Sequence, residues 1–296
     1  DNAPDWFKDF LKNDSLKPTK LLFKKGFFVL RSHASFTSKQ FQNALKNSDG
    51  SPLERDRFTD EELIAIYKDF VVSRLSDYSF LFSLAANIAR PGSFQFSKRY
   101  LFQDQIFIRK NGGVLNDLGE VGYVFMKYSW PPIVNLSVFD VWSWLLNIPG
   151  FSNGESQTCL GRAVGALSYL MNDNYKDENE LALVWSLIGL EALYGDGEAG
   201  LKSQLMNKTE LFLGKRTSYK REFGQMYDFR SRLIHGDKNF HYNNFDGDME
   251  AKNGFAKKLS ESEGLAVATL ISTLQRMCTN QLYELNFKMI VSDEIS

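Results

Sequence analysis

The run 181–194, LALVWSLIGLEALY, constrains this chain more than any other stretch. Its 14 residues carry a single charge, Glu191, so a helix built from them is apolar almost all round. A helix of that kind has to be covered by other elements. It is too short, and too interrupted by the carboxylate, to span a bilayer, which takes about 20 apolar residues. A buried carboxylate costs several kcal/mol unless it is paired. The expected partner is an arginine from another helix, Arg230 or Arg232. Such a pair either locks helix packing or orients an arginine for chemistry, and the run alone does not choose.

From about residue 136 onward the pattern is helical almost throughout. Helices are predicted at roughly 137–147, 156–172, 178–194, 200–213, 217–235 and 260–286. Ser260 and Glu263 form a capping box that sets the last start. The polar stretch 236–259 reads as a long loop, a kind that is usually functional or mobile.

The first half is mixed. Trp6, Phe7, Phe10 and Leu11 fall on one side of a short helix, whereas residues 20–36 fit helix or strand equally well. Gly50 and Pro52 mark a loop. Thr59 and Glu62 make a capping box ahead of Leu63, Ile66, Tyr67, Phe70 and Val71, predicting a helix that runs to Arg90 and stops at Pro91-Gly92. Strands are predicted at 105–108 and 121–125, the second from the alternation of Val121, Tyr123 and Phe125. Asn111-Gly112-Gly113 offers turn chemistry between them, and Trp130-Pro131-Pro132 ends the stretch. The expected class is mainly α: an α-rich region with a small β element over 1–150, then a helical domain over 151–296, parted near Pro149-Gly150. The first region would serve as a sensor or substrate-selecting part.

Composition removes several alternatives. A chain of 296 residues holds one large domain or two, and can bury a core without staples. With 43% hydrophobic residues it is not a disordered chain. Lys and Arg number 35 against 36 Asp and Glu, which argues against a histone-like coat but leaves a local basic surface open. Residues 201–232 carry eight bases against three acids, and 172–199 carry seven acids against one base. Two cysteines, Cys159 and Cys278, exclude a disulfide framework and a zinc ribbon. The first residues lack the basic-then-apolar order of a signal peptide. The expectation is a soluble cytoplasmic protein with no membrane partner and no cofactor.

Three motifs fail on inspection. GDGEAG at 195–200 matches G-x-G-x-x-G, but a helical run precedes it, and Asp196 and Glu198 would repel a pyrophosphate. A helix–helix turn is the better account. Asn244, Asp246, Asp248 and Glu250 alternate like a calcium loop, yet Met249 and Phe255 stand where Gly and Glu are required. His235, Asp237 and His241 lack a third strong ligand at a usable spacing, so no metal site is expected.

The informative stretch is 218–237, SYKREFGQMYDFRSRLIHGD. Phe223, Met226, Tyr227, Leu233 and Ile234 supply an apolar helix face, onto which come Arg230, Ser231, Arg232 and His235. Gly236 stands where a left-handed cap ends a helix. Taken singly, His235 at a helix C-terminus is usually structural, because an imidazolium there is favoured by the macrodipole. Together the residues suit metal-free RNA cleavage, in which the 2′-hydroxyl attacks the adjacent phosphorus. A group titrating near neutrality must move that proton, and a fixed planar cation must meet the phosphate charge. Arg230 and His235 leave one straight helix roughly 140° apart. Either the last turn unwinds, or two copies of the helix meet. Ser231, four residues before His235, shares its face.

SLIGLEALYG at 186–195, followed by a helix and then YDFRSRLIHG at 227–236, resembles the Apea-like branch of the HEPN superfamily. That branch carries an "LEaL" helix and then a Y-x-x-R-x-x-x-x-H-G helix, matched here as Tyr227, Arg230, His235 and Gly236 over about 155–290. Ser231 stands where Asn or Asp is more usual. The resemblance implies a HEPN-type bundle that dimerises through the motif helices. It also implies a metal-independent endoribonuclease, acting as a toxin or effector in antiviral defence against phage. Arg230 and His235 would be catalytic, with Glu191, Ser231, Arg232 and Tyr227 in support and RNA held by Lys215, Arg216, Lys220 and Arg221. The alternative is a non-catalytic module that binds RNA, a nucleotide or a partner protein.

Overall fold

A computed structural model of the chain describes residues 18–24, 27–32, 58–92, 99–103, 106–111, 118, 120–171, 179–197, 200–215, 220–237 and 249–287. These group into two compact units, Asp1–Phe82 with Tyr100–Asn111, and Ser83–Arg99 with Gly112–Ser296. The chain is mainly α, as its patterning required. The units do not part near residue 150, however: among the described residues, 120–150 group with the helices that follow them.

The stretch that fitted helix or strand equally is a hairpin. β1 (Pro18–Lys24) pairs antiparallel with β2 (Phe27–Ser32), with Lys24 opposite Phe27 and Phe23 opposite Phe28. Helix α1 (Asp60–Ala89) follows, started by the predicted capping box. Thr59 N–H donates to Glu62 Oε2 at 2.8 Å, and Glu62 N–H to Thr59 Oγ1 at 3.3 Å. β3 (Arg99–Gln103) then pairs with β4 (Ile106–Asn111) in a second two-stranded sheet. β4 covers most of the predicted strand at 105–108, and its partner had no signal strong enough to name. The proposed helix around Trp6, the loop at Gly50 and Pro52, and Gly112-Gly113 lie outside the described residues.

Residues 121–125 are not a strand but the middle of α2 (Glu120–Tyr128). Val121 and Val124 are buried while Phe125 is 38% exposed. The buried pair has helical spacing, and packing of α2 on the last long helix decides between two periods that five residues cannot distinguish. Next come α3 (Val138–Leu146), α4 (Cys159–Leu170), α5 (Asn179–Tyr194), α6 (Leu201–Leu213), α7 (Lys220–Ile234) and α8 (Met249–Thr279). Ser137 and Thr158 cap α3 and α4 through their hydroxyl oxygens. GDGEAG is the connection between α5 and α6, with Gly197 and Gly200 at positive φ.

The predicted start at Ser260 is overturned: α8 begins at Met249 and passes straight through Ser260 and Glu263. The polar segment before them contains no proline, and a helix once nucleated continues across an exposed polar turn. α8 is the spine of the second unit, with α2, α5 and α7 packed on it. Gly189 lets α5 approach closely: a Cβ there would stand 3.0 Å from Leu270 and 3.4 Å from Ala166 of α4. Two hydroxyl groups on α8 tie this core together. Thr273 shares a hydrogen bond of 2.8 Å with the Tyr194 hydroxyl, and Ser272 donates to Pro132 O at 2.6 Å.

Cys278, near the end of α8, is 2% exposed, and its thiol is pushed up to about 11 from 9.0, first by burial and then by the charge of Asp140. The folded chain therefore binds this proton more tightly than the unfolded chain does. The stability it contributes is complete below pH 9 and is lost as pH rises through 11. Replacing Cys278 by Ala is expected to flatten the fall in stability between pH 9 and pH 11, read from urea unfolding at both values. An unchanged slope would refute that assignment.

Candidate functional site

α5 and α7 both pack on α8, and this brings Glu191 and Arg230 together. Arg230 Nη1 stands 3.4 Å from Glu191 Oε1, and Nη2 donates to Oε2 at 3.4 Å. The side chains are only 18% and 19% exposed. Of the two partners open to Glu191, the fold selects Arg230. Arg232 is exposed instead and donates from Nη2 to Asp237 O at 3.3 Å.

The pair is incompletely satisfied. Glu191 Oε1 and Arg230 Nε are buried, and neither has an aligned hydrogen-bond partner among the described residues. Tyr227, one turn before Arg230, joins the group. Its phenol is raised above 10.0, chiefly by burial and then by the Glu191 charge, with Arg230 pulling the other way and a hydrogen bond to Glu191 adding to the rise.

α7 presents Phe223, Met226, Phe229 and Leu233 to the core. Phe229 meets Phe255 of α8 at a centroid distance of 5.6 Å, and Phe223 meets Trp130 edge-on at 5.8 Å. Phe229 was missed by the expected face, while Ile234, assigned to it, is 52% exposed. At about 100° per residue the buried set of Met226, Phe229 and Leu233 is centred well to one side of Phe223, and Ile234 falls on the other side of it.

The last turn closes as its sequence required. Gly236 has φ +74, Gly236 N–H donates to Leu233 O at 3.3 Å, and Asp237 N–H donates to Arg232 O at 2.9 Å. That is a Schellman cap. His235 keeps its helical bond to Ser231 O at 3.0 Å, so the turn does not unwind, and the imidazole is exposed at the helix end. Arg230 faces α5 while His235 stands beyond the last turn; one chain does not converge them in the way that unwinding would have done. Ser231 is half-buried between them.

The basic segment is partly neutralised by the acidic one. Lys208 Nζ reaches Asp196 Oδ2 at 3.1 Å and Tyr194 O at 2.9 Å, capping the C-terminal end of α5. Lys202 Nζ meets both Asp228 oxygens at 2.7 and 2.6 Å. With Arg230 on Glu191, three bases are ion-paired among the described residues, Lys202 to an acid of the basic segment itself. Lys215 and Arg221 remain exposed, while Arg216 and the side chain of Lys220 lie outside the described residues.

Among the described residues no group of three or more His, Cys, Asp or Glu side chains is placed to hold a metal ion. Nor is any helix of those residues long and apolar enough to cross a membrane. No family model matches the chain, and no curated protein or solved structure does so either.

Proposed function

We propose that the protein is a metal-independent endoribonuclease of the HEPN type that works as a homodimer, as an effector in antiviral defence. The observation that carries the reading is the pairing of Glu191 with Arg230 beside a capped helix end that displays His235. Those residues supply the parts that RNA cleavage needs. His235 takes the proton of the 2′-hydroxyl as its oxygen bonds to phosphorus, or gives one to the departing 5′-oxygen. Arg230 meets the charge on the five-coordinate phosphorus, where its planar fork suits phosphate oxygens. Tyr227 and Glu191 hold Arg230, and Arg232, Lys215 and Arg221 meet the flanking backbone. Because one helix aims Arg230 and His235 apart, a second copy of α7 would complete the constellation. The same pairing also favours a second reading, a module that binds RNA without turning it over, since Arg230 is engaged by Glu191.

The test is cleavage of single-stranded RNA by purified protein in EDTA. The expected products end in 2′,3′-cyclic phosphate. Complete loss of cleavage in EDTA would rule out the mechanism, and RNA bound without any product would establish the second reading instead.

A further inference from the structure

Residues 15–48 carry seven Lys and Arg and not one Asp or Glu, whereas the rest of the chain holds 28 bases against 36 acids. A polyanion is repelled by an acidic surplus and gripped where cations gather with no acids among them. Within this segment lies the antiparallel ribbon β1–β2, which belongs to the first unit. Its register sorts the residues by face. Lys20 lies opposite Arg31, Leu22 opposite Val29 and Lys24 opposite Phe27, and positions two apart along a strand share a face, so these six stand together. The other face takes Leu21 with Leu30 and Phe23 with Phe28, and no charge. Three cations thus fall on one face within about 13 Å of strand, interleaved with aliphatic and aromatic positions.

Both strands are edges of a two-stranded sheet, and charge on an edge discourages pairing with other chains. Either sign serves that purpose. Edge protection therefore accounts for charge on this ribbon, but not for a single sign over 34 residues of a chain with more acids than bases. Cations set among apolar and aromatic positions suit single-stranded nucleic acid, whose phosphates meet Lys and Arg while its bases meet rings. In the helical unit, by contrast, Lys202, Lys208 and Arg230 are already in ion pairs. We propose that the face of the β1–β2 ribbon bearing Lys20, Lys24 and Arg31 is a docking surface for single-stranded RNA. The inference rests on the nucleic-acid reading above for the choice of polyanion, and adds where that RNA is held. The docking surface and the cutting residues then belong to different units of the chain.

Full-length protein carrying His235→Ala, so that cleavage is suppressed, is titrated with a labelled single-stranded RNA oligonucleotide over a range of salt. Adding Lys20→Gln with Lys24→Gln is expected to weaken the Kd about tenfold at about 0.1 M salt. It should also lower the slope of log affinity against log salt by about 1.4, at about 0.7 for each phosphate contact on a single strand. Lys257→Gln with Lys258→Gln removes the same charge from exposed positions of α8 and is expected to change the Kd by less than about twofold. Equal effects from the two pairs, or an unchanged slope in the ribbon variant, would overturn the inference. The nuclease reading would still stand if wild-type protein cuts RNA in EDTA to 2′,3′-cyclic phosphate ends. Absence of RNA binding by the His235→Ala parent would also end the inference. So would a ribbon variant that keeps its RNA affinity but no longer sediments with phosphatidylserine vesicles, which would assign the face to a lipid surface. Should the ribbon pair fail to fold by circular dichroism, Arg31→Gln takes its place: a slope lowered by about 0.7 supports the inference, and an unchanged one ends it.

Discussion

Replacing His235 by alanine is expected to lower RNA cleavage by about a hundredfold or more, the range that one proton-transfer group supplies. The imidazole is exposed and sits past the last turn of α7, so its loss should leave the melting temperature almost unchanged. That separation matters, because a structural His would show the reverse pattern. Arg230 needs a gentler substitution. Alanine there would leave the 19%-exposed Glu191 carboxylate unpaired and would confuse lost chemistry with lost stability. Lysine keeps the charge and loses the planar fork. Arg230→Lys is therefore expected to cut the rate about a hundredfold with a smaller change in melting temperature. Full activity in either variant would remove this helix from the mechanism.

The largest stability effect is expected well away from that helix end, at Gln275 of α8. This side chain is 1% exposed and makes three bonds to main chain. Its Nε2 donates to Ile88 O and to Val134 O, each at 2.8 Å, and its Oε1 accepts from Val134 N–H at 3.0 Å. One amide thus closes the C-terminal end of α1 and fixes the segment between α2 and α3, where no ladder supplies partners. Leucine has similar volume and none of these groups. Gln275→Leu is expected to lower unfolding free energy by about 3 kcal/mol or more, since each stranded group costs about 1–3 kcal/mol. That is a large fraction of the roughly 5–15 kcal/mol that holds a folded chain together. Urea unfolding with an unchanged slope against denaturant would show it. A loss below about 1 kcal/mol would mean that these carbonyls find other partners.

Much of this was legible before the fold was known. The capping box at Thr59 and Glu62 placed the start of α1 because both residues act within one turn. Gly236 ended α7 for an equally local reason, its positive φ. What could not be read locally was anything settled by burial. Residues 121–125 carry a period of two that looks like a strand, yet the contact of α2 with α8 selects the face of Val121 and Val124. Ser260 and Glu263 spell a helix start, but the turns before them hold a helix of their own, so the motif falls in an interior. Gln275 gave no signal at all, because its partners lie 141 and 187 residues away in the chain.

The candidate site divides in the same way. An apolar helix with one carboxylate dictates that Glu191 be paired, since burial of a lone charge is too costly. Which cation answers is a matter of three-dimensional packing, and α8 decides it by seating α5 and α7 so that Arg230 arrives while Arg232 faces outward. The near balance of basic and acidic residues also changes meaning in the fold. Lys208 on Asp196 and Arg230 on Glu191 each join the basic segment to the acidic one. The sequence by itself determined a helical chain, the need for a partner at Glu191, and a capped helix end bearing His235, because each follows from local geometry or from the cost of burying charge. Only the tertiary structure decided the partner, the loose 3.4 Å fit and the place of Tyr227 beside it, because those depend on where separate helices come to rest.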